Sequence, residues 1–322
     1  MNRPEALGVR HPWADPPGPG RVTEVADGIL WARLPLPMKL DHVNIYALDE
    51  GDGWTLIDTG LNWAKGLAQV EALLAEPLAG KPVIRVLMTH AHPDHLGLVG
   101  WFAERGAEVV ASRAAWYLGR MMVLDRQERH PPQNILYRRR AGMTGAALAA
   151  YAAEAPFNFA DCVAPIPPGF TRLREGDTYQ AGGRDWQVRM GEGHAVEHIT
   201  LWTDEIVLAG DQILPGISPN IGVYPTEPEA DPLGGWLETC HRFRALGADP
   251  LVLPGHKLPF RGLDFRLGQL IDNHLHAFER IEAALDRPKT AVELMAPIFR
   301  REIGGGEFGL ALVEAVAHVN YL

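Results

Sequence analysis

Between Thr89 and Gly97 the chain reads THAHPDHLG, which puts His90, His92 and His95 and the carboxylate of Asp94 into six consecutive positions. Imidazole nitrogen and carboxylate oxygen are the donors preferred by borderline dications such as zinc, and by manganese or iron. The chemistry on offer is therefore metal binding. Four side chains do not complete a paired-ion centre, but three other places repeat the same design, an apolar run followed by a turn carrying His or Asp. WQVRMGEGHAVEH supplies His194 and His198, EIVLAGD supplies Asp211, and PLVLPGH supplies His256. Side chains two apart on a strand share a face, so His90 and His92 can grip one ion together. One ion would then take His90, His92 and His194, and a second would take Asp94, His95 and His256. Asp211 would touch both. Each ion keeps an open position, as a catalytic rather than a structural site does.

The apolar runs before these turns read as strands. VIRVLM, ahead of Thr89, is nearly unbroken and fits a strand buried on both faces. GILWARLPL, HVNIYAL, WTLIDTG, AEVVAS, DWQVRM, HITLW and EIVLAG are further strands, several bounded by turn formers. AKGLAQVEALLAEPLAG has helical spacing with Leu67, Val70, Leu73 and Leu74 on one face, and LGLVGWFAERG is amphipathic with Gly106 as a helix stop. Residues 113–170 are Ala-rich and helix-prone, with a basic knot at Arg138, Arg139 and Arg140 that reads as a solvated face. They form an expected helical insertion between the metal motifs, placed to roof a pocket. After His256, FRLGQLIDNHLHAFERIEAALDR is a long amphipathic helix. Thr290 with Glu293 fits a capping box, and LALVEAVAHVNYL closes the chain. The expected division is an N-terminal arm over 1–21, a main domain over 22–262 and a helical C-terminal domain over 263–322.

The 322 residues are 47% hydrophobic and 22% charged, ordinary for a globular chain, and the formal charge of −10 speaks against a nucleic-acid coat or an anionic membrane surface. No run approaches the ~18 apolar residues of a spanning helix, and MNRPEALGVRHPWADPPGPG lacks a signal-peptide core. A cytoplasmic protein is expected. Cys162 and Cys240 lack ligand spacing and read as inert thiols. His11, His42, His130, His241, His274, His276 and His318 show no ligand spacing and read as surface or core.

The H-x-H-x-D-H run at His90–His95, Gly193-His194 with His198, Gly210-Asp211 and Gly255-His256 resemble the metallo-β-lactamase superfamily. LIDTG at Leu56–Gly60 is similar to its early motif. The resemblance spans about residues 22 to 262. It implies an α/β fold, a four-layer αββα sandwich with metals at the strand ends, here with a small helical C-terminal domain. The tail resembles the branch typified by human lactamase-beta-like protein 2, which ends in a winged-helix-like domain and whose characterised member is an endoribonuclease, but the chain stops where that branch continues into a β wing.

The resemblance also implies roles. Two divalent ions, zinc above all, would share a bridging hydroxide as nucleophile, and Asp94 would shuttle a proton. Asp58 matches the family residue that orients the ligand loop. His198 matches the motif's second histidine, near the site but not a usual ligand, and contacts substrate or supports the ligands. Tyr224 is a candidate donor to a developing oxyanion, or else an apolar loop anchor. The expected activity is hydrolysis of a thioester, ester or lactone in a small substrate, anionic ones included. Phosphodiester or single-stranded RNA cleavage is the alternative, and iron-dependent redox chemistry a lesser one, because no flavodoxin-like domain follows. Lys257 and Leu258 depart from the G-H-E-Y of the glyoxalase II group, which sets glutathione thioesters aside. The apolar last helix leaves a homodimer open.

Overall fold

The structure is a computed structural model that describes residues 8–247 and 249–322. Residues 1–7 of the expected arm lie outside the described residues. The remainder of the arm runs without a named element and is pinned by a bridge between Arg10 and Arg261 and by a 3.0 Å ion pair from Arg10 to Asp249.

Among the described residues, twelve strands form two mixed sheets. The first runs in spatial order β1 (Thr23–Ala26), β2 (Ile29–Pro35), β3 (His42–Asp49), β4 (Trp54–Ile57), β5 (Val83–Leu87), β6 (Glu108–Ala111) and β7 (Thr171–Arg172). It is antiparallel through β4 and parallel from β4 to β7. The second comprises β8 (Thr178–Ala181), β9 (Arg184–Gly191), β10 (His198–Trp202), β11 (Ile206–Gly210) and β12 (Leu251–Pro254), with only β11 and β12 parallel. The helices are α1 (Ala64–Ala75), α2 (Pro93–Leu96), α3 (Val99–Ala103), α4 (Arg113–Leu124), α5 (Pro132–Arg140), α6 (Gly145–Ala153), α7 (Pro232–Arg244), α8 (Leu263–Ala284), α9 (Ala291–Phe299) and α10 (Phe308–Tyr321).

Period-2 side-chain alternation sorts each strand's residues between two cores. On β2, Ile29 and Trp31 face the second sheet, while Ala32 and Leu34 face the other way. Between the sheets, Trp31, Leu48, Ile57 and Leu87 meet Trp186, Leu201, Leu208 and Leu253. Val70, Leu73, Phe102 and Trp116 cover the outer face of the first sheet. Trp236, Phe243, Leu267, Ile271 and Leu312 join Val207 and Val252 on the outer face of the second. Helix, sheet, sheet, helix is the four-layer sandwich expected. The C-terminal helices α8, α9 and α10 share one apolar cluster with the second sheet and α7, and no named strand follows β12 among the described residues.

Several local expectations shift. The run before Thr89 is fully buried only over Val86 to Met88, and Arg85 turns outward to pair with Glu50. LGLVGWFAERG is not one helix: α2 and α3 are short and separate. α1 stops at Ala75, where Pro77 disfavours helical backbone at Glu76. Strands β1, β7 and β8 carry too few apolar residues to stand out in the sequence. The Thr290–Glu293 capping box forms with both reciprocal bonds. No helix among the described residues is long and apolar enough to cross a membrane.

Trp186 is wholly buried between the sheets, and its indole N–H donates to the Ala181 carbonyl at 3.0 Å. Trp186→Ala is expected to cost about 3–5 kcal/mol of folding stability. A chemical-denaturation midpoint matching that of the unchanged chain would place the central core elsewhere.

Candidate metal centre

The seven metal-capable residues come from four chain segments that end at one edge of the sandwich. The turn after β5 carries Thr89 to His95, the loop before β10 carries His194, Asp211 follows β11 and His256 follows β12. The parallel pairing of β11 with β12 brings Gly210 beside Pro254 and so sets Asp211 and His256 at the same end. Bonds across the sheets lock this edge. The Ile199 N–H donates to the Thr89 carbonyl at 2.8 Å, and the Gly255 N–H donates to Gly210 at 2.7 Å. From the first sheet, the Asn44 N–H donates to the Gly255 carbonyl at 2.7 Å, and the Asn44 amide and the Tyr46 hydroxyl both reach the Pro254 carbonyl at 2.9 Å. Gly255 lies against the centre so closely that a methyl group there would overlap Asp211 Oδ1.

His90 and His92 lie beyond the end of β5 rather than on it, yet they meet, with His90 Nε2 and His92 Nδ1 2.9 Å apart. Three sets of donors lie within 4.8 Å of one another: His90, His92 and His194; Asp94, His95 and His256; and His90, His95 and Asp211. Asp211 sits in the middle. Its Oδ1 is 3.4 Å from His95 Nε2, and its Oδ2 is 3.1 Å from His256 Nε2 and 3.7 Å from His194 Nε2. Asp94 Oδ2 lies 3.6 Å from His95 Nε2 and 3.4 Å from His256 Nε2. Two donors each about 2.0–2.2 Å from one tetrahedral ion stand roughly 3.3–3.6 Å apart, so these spacings suit ligands converging on cations.

The protein also fixes which ring nitrogen faces inward. A carbonyl can only accept, so His194 Nδ1–H donates to the Asn220 carbonyl at 2.9 Å, and His256 Nδ1–H donates to the His42 carbonyl at 2.6 Å. His95 Nδ1–H donates to Asp58 at 2.7 Å. The Thr89 hydroxyl donates to Asp58 at 2.8 Å and accepts from His90 Nδ1 at 2.9 Å. All four rings therefore turn Nε2 toward the centre. His95 Nε2, His194 Nε2 and Asp211 Oδ1 are buried with no hydrogen-bond partner, which is costly unless a cation completes them. The donor set fits divalent metal on those grounds.

The electrostatics point the same way. Burial would lower the pKa of His95, but the carboxylates of Asp211, Asp94 and Asp58 outweigh it and raise the group well above its usual value. At His256 the same contest, with Asp211 and Asp94, pushes the value up to about 9. Burial and neighbouring imidazoles hold His90 well down and His92 at about 3. Asp94 falls to about 2 because His95 and His256 outweigh its burial. Two carboxylates thus retain two imidazole protons, a positive charge that metal ions can replace.

Asp58 is buried at a left-handed φ of 61°, a strained setting for a residue other than glycine. It accepts from the Thr89 N–H, the Thr89 hydroxyl and His95, and so positions two ligand rings at once. Of the two roles expected of His198, substrate contact or support of the ligands, the geometry fits the second. It is wholly buried, its Nδ1–H donates to the Ile199 carbonyl, and its Nε2 accepts from the Asp211 N–H at 3.1 Å. With both nitrogens engaged and its ring stacked on His90, it holds Asp211 and cannot reach a substrate. Tyr224 stands apart from the cluster, half-exposed beside Tyr137, Tyr151 and Val313. Three positioning groups escape a motif reading. Thr89 was inside the quoted stretch, but the backbone carbonyls of His42 and Asn220 leave no mark in a sequence.

Residues 38–256 match the model of the metallo-beta-lactamase superfamily. The chain belongs to this superfamily. Within it, the chain is 36% identical to a beta-lactamase domain protein from Burkholderia ambifaria, with a TM-score of 0.87 over 97% of this chain and 91% of that one. A metallo-beta-lactamase family protein from Thermus thermophilus is 29% identical, with a TM-score of 0.78 over 92% and 93%. Among curated proteins, a probable metallo-hydrolase of Bacillus subtilis is 26% identical over 92% of both chains. Each of these matches covers at least 92% of this chain.

Groups that orient metal-bound histidines are worth about 10–100-fold in affinity. Asp58→Ala should therefore keep the fold, by circular dichroism, while losing zinc affinity by about that factor in chelator competition. Unchanged affinity would show that Asp58 does not position the ligands.

Proposed function

We propose that the chain is a metal-dependent hydrolase that holds two divalent ions, one on His90, His92 and His194 and one on Asp94, His95 and His256, with Asp211 between them. The observation that carries this reading is Asp211, set among the inward nitrogens of His95, His194 and His256, three rings whose outer nitrogens the protein already occupies. Nitrogen and oxygen donors without thiolate suit zinc, with manganese and iron as alternatives. Bound dications supply Lewis acidity and bring the pKa of a coordinated water toward about 7.

The chain's own residues do the rest. Two dications against the carboxylates of Asp94 and Asp211 leave the pocket positive, which favours charge developing on a substrate oxygen. Asp94 is the more open carboxylate, 17% exposed against 8% for Asp211. Held near 2, it is ionised at neutral pH, and in this reading it is the carboxylate that passes a proton to the leaving group. His92 is likewise only partly buried, so substrate approaches from its side.

A thioester, ester or lactone fits the surroundings best. α4 begins beside the loop bearing His194, where the Ala114 N–H donates to Glu197 at 2.9 Å, and it leaves Tyr117, Leu118 and Met121 exposed. That apolar surface suits an acyl group, and the chain's net charge of −10 opposes a polyanion.

Purified protein is expected to carry close to two metal ions per chain by elemental analysis. A panel of acyl-CoAs, lactones, lactoylglutathione, bis-p-nitrophenyl phosphate and short single-stranded RNA should show turnover on the acyl substrates, and turnover on RNA alone would move the assignment to phosphodiesters. Asp94→Ala should cut turnover by about 10²–10⁴-fold without unfolding the chain, and full activity would remove Asp94 from the chemistry.

Metal uptake should also be linked to pH. Below about 9, His256 holds a proton in the metal-free chain, and the carboxylates around His95 raise its value and favour its protonated form as well. Both protons must leave before those nitrogens bind a cation, so affinity should rise with pH across pH 6 to 8. Calorimetry in buffers of different ionisation enthalpy should record between one and two protons released per chain. No release would contradict the assigned ligands.

A further inference from the structure

A second cluster of metal-capable side chains lies away from the centre, between α8 and α10. His274 projects from α8, and Glu314 and His318 lie one turn apart on α10, four residues being the spacing that puts side chains on one helix face. Both imidazoles are 1% exposed. The donor atoms of all three residues fall within 4.8 Å of one another. We propose that His274, Glu314 and His318 form a further divalent-cation site that ties the last helix to α8.

The hydrogen bonds define what the cluster presents. His318 Nδ1–H donates to the Glu314 backbone carbonyl at 2.8 Å, so its Nε2 carries a bare lone pair. That lone pair faces His274 Nδ1 at 3.2 Å. A backbone carbonyl behind one nitrogen and a second donor close to the other is the support that metal-binding histidines usually have. A separation of 3.2 Å also lies close to that of two nitrogens sharing one tetrahedral ion, roughly 3.3–3.4 Å.

Charge supplies the independent argument. The Glu314 carboxylate accepts one hydrogen bond, from the Asn220 amide at 2.7 Å. No Lys, Arg or His forms a salt bridge with it among the described residues. The two rings beside it are wholly buried and are spent on each other and on the Glu314 backbone carbonyl. A proton shared between the rings satisfies one lone pair and leaves Glu314 without a counter-ion, whereas a dication takes both lone pairs and the carboxylate together. The charge of Arg280 acts on His318, but its guanidinium is spent on the carbonyls of Pro297 and Ile298 at the end of α9. Two imidazoles and one carboxylate select zinc, cobalt or nickel over magnesium or calcium.

The site would be structural. Asn220 donates to Glu314 and to the Leu310 carbonyl while its own carbonyl holds His194, so an ion on Glu314 would stiffen the helix against which a ligand of the principal centre is braced.

The test uses the full chain, stripped by chelator and equilibrated with Zn2+ alone. Metal counted per folded chain should be one ion lower in His274→Gln and in Glu314→Gln than in the unchanged protein. It should fall independently of that ion in Asp211→Asn, which touches only the principal centre. Glu314→Gln keeps the shape of the side chain and can still accept from Asn220, so it carries the comparison if His274→Gln does not fold. In the unchanged protein, the imidazole 15N resonance of His318 Nε2 should shift on adding Zn2+, as coordination demands. Equal metal counts in the unchanged protein and Glu314→Gln, or a His318 Nε2 resonance that ignores Zn2+, would overturn the proposal.

Discussion

A histidine crowded against other histidines inside a protein is stable only if each of its two nitrogens has somewhere to go. That constraint organises this molecule. The outer nitrogens of His90, His95, His194 and His256 are given to Thr89, Asp58, Asn220 and His42 in turn, which leaves the inner ones aimed at a common volume. Asp58 bears the heaviest share. It takes three donors in a backbone conformation that only a rigid frame can enforce. The frame is the pair of sheets, and their purpose at this edge is to hold acceptors at fixed distances from imidazoles.

The frame itself was largely legible. Runs such as HITLW and PLVLPGH announce strands by composition, and the residues that follow announce the chemistry. What the sequence concealed has three physical causes. Short strands such as β1 and β8 gain their identity from their neighbours in the sheet and not from their own residues. Backbone carbonyls are carried by every residue, so nothing marks those of His42 and Asn220. Spacing along the chain is also silent about partners far away. His274 and His318 looked like isolated core histidines because their proximity depends on how α8 and α10 pack.

His198 shows a subtler limit. Its place in a metal-binding motif was readable, with two roles open to it, substrate contact or support of the ligands. A motif states which residue type is present. Only the bonds to Ile199 and Asp211 show that this ring serves the neighbouring carboxylate and is closed to solvent.

The bond from His256 to the carbonyl of His42 joins residues 214 apart in the chain, and it crosses from one sheet to the other. A contact of that span costs more chain entropy to close than the pairings within either sheet, and the candidate centre sits on it. Cations bound there would stabilise the docked sheets by mass action without favouring either sheet alone, so their loss would loosen the seam between the halves before it disturbed either half.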